Sequence, residues 1–307
     1  MDAAEGFAIT ALLLLTRWSH FASVFGLFGA ALFWTYTPGA FPGARRVSDL
    51  LLRVAAPAAV LSGLGWIAAM IANMAGGLEK VADPQTLSLF FTQTQFGPVV
   101  EIRLALLALA LAFAAWPMAA ESRRRAMVAL GAALLVDQAW LGHAAEESGT
   151  WGAFMLAVYC AHALAAAAWL GGLPPLLFAL REARGQDEEA ARRQMFELLK
   201  CFSLVATPAV AMIVASGLGN VGFRVGASFE RVFLTDYGYV LAAKATLVAV
   251  MLAMACHNRF VVQPRLRTAP PNPRQGVLLR TAVALELALG LAVLAAAAIL
   301  GITPPPQ

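Results

Sequence analysis

Along this chain the polar residues gather into short stretches, and long apolar runs separate them. Runs of roughly 20 residues, the length that crosses about 30 Å of hydrocarbon as a helix, recur at residues 8–36, 50–74, 97–116, 126–142, 152–180, 202–222, 238–260 and 277–301. The pattern predicts an all-α polytopic membrane protein with eight transmembrane helices, called here segments 1 to 8. Segment 1 follows Asp2 and Glu5 in place of a basic stretch, and it continues past signal-peptide length without a convincing cleavage site. It is expected to stay in the mature protein. Trp34, Trp116, Trp140 and Trp151 fall near predicted ends, where amphipathic rings favour the membrane interface.

Composition supports the class: 60% of residues are hydrophobic and 13% charged, with a mean hydropathy of +0.72, outside the range of soluble domains. A net charge of +4 invites a nucleic-acid reading, but the arginines sit in short connections instead of on one basic face, so no nucleic-acid partner is expected. Their placement reads as topology. Arg45 and Arg46, Arg123 to Arg125, the basic residues between Arg181 and Lys200, and Arg265, Arg267 and Arg274 occupy alternate connections, which are expected to be cytoplasmic. The opposite connections carry Glu79, Asp83, Glu146 and Glu147, or only Arg224 and Arg231. Both termini should then face outward. The charge run from Gly185 to Arg193 reads as a solvated helix end. Cys160, Cys201 and Cys256 show no C-x-x-C spacing, which supports neither a disulfide framework nor a cysteine zinc site.

Internal similarity suggests a duplication. Segments 2 and 6 share Ser62-Gly63-Leu64-Gly65 and Ser216-Gly217-Leu218-Gly219. The openings of segments 3 and 7 also correspond, with Thr94-Gln95-Phe96-Gly97, Val99 and Arg103 against Thr235-Asp236-Tyr237-Gly238, Val240 and Lys244. His20 in segment 1 matches His162 in segment 5. Four helices per unit is an even number, so the expected arrangement is two parallel four-helix repeats, residues 1–142 and 143–307, related by an axis along the membrane normal.

Ionisable residues inside the apolar runs are the candidate chemistry, because a charge or an imidazole in lipid needs a partner or a wet cavity. Arg17, His20, Glu101, Arg103, Asp137, His162 and Lys244 all fall in the outer half by residue count. A structural ion-pair network accounts for the arginines, lysine and carboxylates. The histidines point elsewhere, since neutral imidazole ligates copper, iron and zinc. Met155 shares a helical face with His162, thioether plus imidazole suits Cu(I), and His143 ends segment 4 on the same side. The expected metal site is therefore His20, His143, His162 and Met155. Met251, Met254, Cys256 and His257 stand at the opposite end of segment 7, as soft ligands for release or as packing and headgroup contacts.

These residues also carry a resemblance. His162-Ala163-Leu164 through Trp169-Leu170-Gly171-Gly172-Leu173, the Gly142-His143 step, F-S-L-V-A at 202–206, T-D-Y-G at 235–238 and N-R-F at 258–260 with Pro264 resemble the copper resistance protein D family along nearly the whole chain. The resemblance implies an eight-helix inner-membrane protein that moves copper from periplasm toward cytoplasm, with the family's histidines at His20, His143 and His162. Copper is the expected bound ion and the lipid bilayer the expected surroundings. With no soluble copper-binding domain in the sequence, a periplasmic copper-binding protein is the expected donor.

Two other readings stay open. Paired intramembrane histidines also hold haem in b-type cytochromes, where His20 and His162 would be axial ligands. A copper-binding assembly partner without transport is the other. No Walker motif, phosphorylated-aspartate motif or Ser/His/Asp arrangement is present, so no enzyme activity is expected.

Overall fold

In hydrocarbon no water satisfies a bare backbone N–H or C=O, and a helix satisfies nearly all of its own. The computed structural model describes residues 3–37, 41–142, 149–183, 188–225, 235–268 and 273–304, and it follows this rule, with no strand among them. The helices are α1 (Ala3–Tyr36), α2 (Pro42–Ala75), α3 (Pro84–Gln93), α4 (Phe96–Ala115), α5 (Ala120–Asp137), α6 (Gly149–Leu170), α7 (Leu173–Glu182), α8 (Glu188–Val225), α9 (Asp236–His257), α10 (Gln263–Thr268) and α11 (Pro273–Leu300).

Seven stretches are long and apolar enough to cross a membrane, with α6 and α7 together forming one of them. The expected segment 4 is α5, which is not among the seven: it has 18 residues, and Glu121, Arg123, Arg124 and Arg125 fill its first turns. It is nevertheless packed against α1 and α4, with Met127 and Leu134 fully buried. Segment 5 is broken at Gly171 and Gly172, after which Pro174 sits in the first turn of α7, where its missing N–H does no harm. The short helix α3 lies in the connection before α4. Asp83 caps it by accepting from the backbone N–H groups of Gln85 and Thr86, and the Thr86 hydroxyl and N–H hold the Asp83 carboxyl below the ordinary carboxylate range.

Helix α1 is the hub, touching α2, α5, α6, α7 and α11. Its crossing with α6 is the tightest point between the N-terminal half, α1 to α5, and the C-terminal half. A Cβ on Gly29 would run into the Ala167 carbonyl and the Gly171 backbone, and one on Gly171 into the Phe25 carbonyl. Membrane helices gain no hydrophobic drive from each other, so close backbone approach at small residues supplies the contact energy. Further ties join the halves: Glu182 accepts from Gly43 N (3.1 Å) and Ala44 N (2.6 Å) at the start of α2, and Trp18 Nε1 donates to Leu291 O (3.0 Å). Within the N-terminal half, Arg124 forms a two-pronged pair with Asp49 (3.0 and 2.9 Å).

The tryptophans divide. Trp116, Trp140 and Trp151 are exposed, as expected of interface anchors, whereas Trp34 is buried with its ring beneath the Arg45 guanidinium at 4.6 Å. Gly171→Ala should lower stability by about 2 kcal/mol through overpacking, read as a lower melting temperature in detergent. Gly26→Ala, whose Cβ meets nothing within 4 Å, should show no loss in the same assay.

Candidate functional site

His20 stands fully buried on α1, facing α2 and α4. Its Nδ1 lies 2.9 Å from the Ala59 carbonyl, which accepts only, so the ring proton is on Nδ1. Nε2 is then the lone-pair nitrogen, and Arg103 Nη1 donates to it at 2.7 Å. The same guanidinium pairs with Asp137 Oδ2 at 2.9 Å and donates to the Leu134 carbonyl at 3.1 Å. Ser62 completes the surroundings at 3.4 Å from Nδ1, its own hydroxyl donating to Ala58 O at 2.5 Å. Gly63 lets the ring close on α2, because a Cβ there would sit 3.1 Å from His20 Cε1. The Trp66 ring meets two cations, with Arg17 and Arg103 each 5.4 Å from its centroid.

His162 on α6 repeats the arrangement. The Ser216 hydroxyl donates to the Met212 carbonyl, so its oxygen accepts from His162 Nδ1–H at 3.0 Å, and Nε2 is again the lone-pair nitrogen. Ile213, placed relative to Ser216 as Ala59 is to Ser62, also bears on the ring through its carbonyl, and Gly217 faces it as Gly63 faces His20. The neighbouring cation differs: Lys244 on α9 acts on His162 where Arg103 acts on His20. His162 is only half-buried.

Both histidines line one cavity of about 440 Å³ between the halves. It follows α9 from Tyr237 to Leu252, roughly 22 Å of helix. At the end where α9 begins and α11 finishes, the side that the charge pattern marks as outer, Arg17, Gln138, Asn220 and Lys244 supply polar groups. Deeper, the walls are apolar, with Phe25, Leu170, Met251 and Val293. Arg17 Nη1 donates to Gly301 O at 3.0 Å across the outer rim. The arrangement offers two imidazoles to one space, one with its lone pair engaged by a guanidinium.

The remaining expected residues scatter. Met155 is half-buried on α6, two turns before His162, and does not line the cavity. His143 lies outside the described residues. Among those described, no group of three or more His, Cys, Asp or Glu side chains is placed to hold a metal ion. Of the expected ion-pair network, Arg103 and Asp137 pair while Glu101 is exposed. Met251 lines the cavity, but Cys256 and His257 are exposed. Sequence reasoning missed Trp66, Gln138 and Asn220. It saw Ser62 and Ser216 only as helix-packing repeats, though a serine facing a histidine's depth is a readable signal for an imidazole anchor.

Profiles of known families match two parts of the chain: the copper resistance protein D-like N-terminal domain over residues 8–153 and copper resistance protein D over residues 196–300. Copper resistance protein D of Pseudomonas syringae pv. tomato is 29% identical over 302 residues, covering 95% of this chain and 96% of that protein. Inner membrane protein YebZ of Escherichia coli (strain K12) is 31% identical over 260 residues, 82% and 84% of the two chains. Copper transport protein CutJ of Bacillus subtilis (strain 168) is 31% identical over 243 residues, 76% of this chain but 42% of that relative's length. No solved structure matches.

Removing the countercharge should be the most damaging change at the His20 end. Asp137→Ala leaves the fully buried Arg103 without its carboxylate and should cost about 3 kcal/mol in a thermal melt. Arg103→Leu combined with Asp137→Leu should cost less, because it removes both ions together.

Proposed function

The chain belongs to the copper resistance protein D family, and from that premise we propose that it carries copper across the inner membrane, from periplasm to cytoplasm, through a histidine site in the cavity between its halves. The observation that carries this reading is that His20 and His162, held through Nδ1 by equivalent partners, line the same space. Each anchoring partner fixes the ring and leaves Nε2 as the ligating atom. Lys244 is the cation near His162, whereas ligation by His20 requires Arg103 to release Nε2 and rest on Asp137 and the Leu134 carbonyl. His143 is the third imidazole of the proposed site. Met155, two turns nearer the start of α6 than His162 and outside the cavity wall, is the proposed additional thioether ligand.

The family is one of copper-handling membrane proteins, and the names of two of its relatives point to copper resistance and copper transport. The loop arginines support eight spans with both termini periplasmic. The paired His–Ser–Gly contacts support two parallel four-helix repeats, 1–142 and 143–307, as the origin of the cavity. A periplasmic copper-binding protein is the proposed donor. One feature favours a second reading: the cavity is far roomier than a bare ion needs and mostly apolar below its rim, which suits a porphyrin between two imidazoles.

Metal analysis and an absorption spectrum of purified protein decide between them. Bound copper without a Soret band is expected, and a Soret band would establish haem instead. Ser216→Ala, which frees the His162 ring, should weaken copper binding about tenfold, and His162→Ala should weaken it further. Copper uptake into proteoliposomes is the matching assay for transport; binding without uptake would leave an assembly partner.

A further inference from the structure

Beneath the cavity floor lies a buried carboxyl that nothing above uses. Leu170 and Met251 line the cavity and close over Gly290, where an added Cβ would meet Leu170 Cδ2 at 2.8 Å and Met251 Cε at 3.6 Å. One turn further along α11 toward its start, on the same face, is Glu286, 3% exposed. Two turns beyond Met251 on the other side is Asn258, whose Nδ2 donates to Glu286 Oε1 at 2.6 Å. Among the described residues no Lys, Arg or His forms an ion pair with Glu286. An ionised carboxyl with no cation is costly at this depth, and a single amide donor satisfies a neutral acid. Asn258 opens a π-helical turn, Asn258–Val262, between α9 and α10. Such widened turns are rare and are frequently found at functional sites.

We propose that Glu286, with Asn258, is an inner cation station on the way from the cavity to the cytoplasm: a carboxyl that holds a proton while empty and exchanges it for a copper ion. This deepens the transport reading and rests on it for the source of the ion. In the exchange the carboxyl O–H bond breaks, the proton leaves to water at the cytoplasmic end, and a carboxylate oxygen takes the metal cation. One positive charge replaces another when the ion is Cu(I), and no electron is transferred. Oxygen is a weak ligand for Cu(I) beside imidazole and thioether, which suits a place the ion must leave. Leu170 and Met251 are then the gate between a strong outer site and a weak inner one.

Infrared difference spectra of the full-length protein in bilayers, with and without Cu(I) kept reduced by ascorbate, test this directly. Loss of a protonated-carboxyl band on adding copper is expected, shifted in protein labelled with 13C-glutamate and missing in Glu286→Gln, which keeps an amide for Asn258 to bond. Should the variant not fold, the isotope label still assigns the band to a glutamate rather than an aspartate, and among the described residues Glu286 is the one buried glutamate. Glu286→Gln should also reduce copper flux into proteoliposomes by about tenfold or more at unchanged melting temperature. Wild-type flux with the band untouched by copper overturns the Glu286 station and leaves the transport reading standing. A copper-sensitive band in a protein that moves no copper upholds the station and removes transport. Glu286→Gln with full flux assigns the carboxyl to helix packing and overturns the proposal.

Discussion

At the crossing of α1 and α6 two backbones touch with no side chain between them. Lipid offers helices no hydrophobic reason to associate, so the contact rests on dispersion between closely fitted surfaces, and only glycine permits it here. Its position governs the interior. Close to Gly29 and Gly171 the halves are tight. Toward the starts of α1 and α6 the side chains at the interface are Phe25, Leu170, His20 and His162, and there the helices leave a cavity instead of packing flush. The site's dimensions are thus set well below the site itself.

Equivalent anchoring produces unequal histidines. Each ring gives its Nδ1 proton to an acceptor from the following long helix, and each faces a glycine there, yet the cations beside them differ in chemistry. Arginine is a planar fork that reaches His20 Nε2, Asp137 and the Leu134 carbonyl together. Lysine is a compact, mobile charge on a flexible stem. The result is a rigid, dry corner around His20 and a looser one around His162. Two similarly built corners in this way give one space two different ends.

Hydropathy runs locate seven membrane-length stretches well, because twenty apolar residues leave little alternative to a helix in lipid. The membrane class and the family are legible in the residues, and so is the placing of His20 and His162 within apolar runs. What escapes is anything that depends on which helix faces which. The break between α6 and α7 is masked because the run stays apolar through Gly171 and Gly172. Segment 4 reads as a full span from Ala126 onward only when its three opening arginines are assigned to the loop. Trp34 looks like an interface anchor by position but lies under Arg45, a pairing made by the turn between α1 and α2. The engagement of His20 Nε2 by Arg103 joins residues 83 apart, and no periodicity announces it. Helix α3 was readable in principle, since Asp83 followed by Pro84 is a strong helix start.

The tie between Arg17 and Gly301 gives the end of the chain a mechanical role. A carbonyl in the final turn after α11 accepts from a side chain of α1, and both residues belong to the cavity wall. Whatever is attached beyond that point pulls on the rim through this hydrogen bond. Affinity tags and reporter fusions therefore belong at the amino end for this protein, where α1 begins more than three turns away from Arg17. A bulky carboxy-terminal fusion would act as a lever on the opening it was meant only to report.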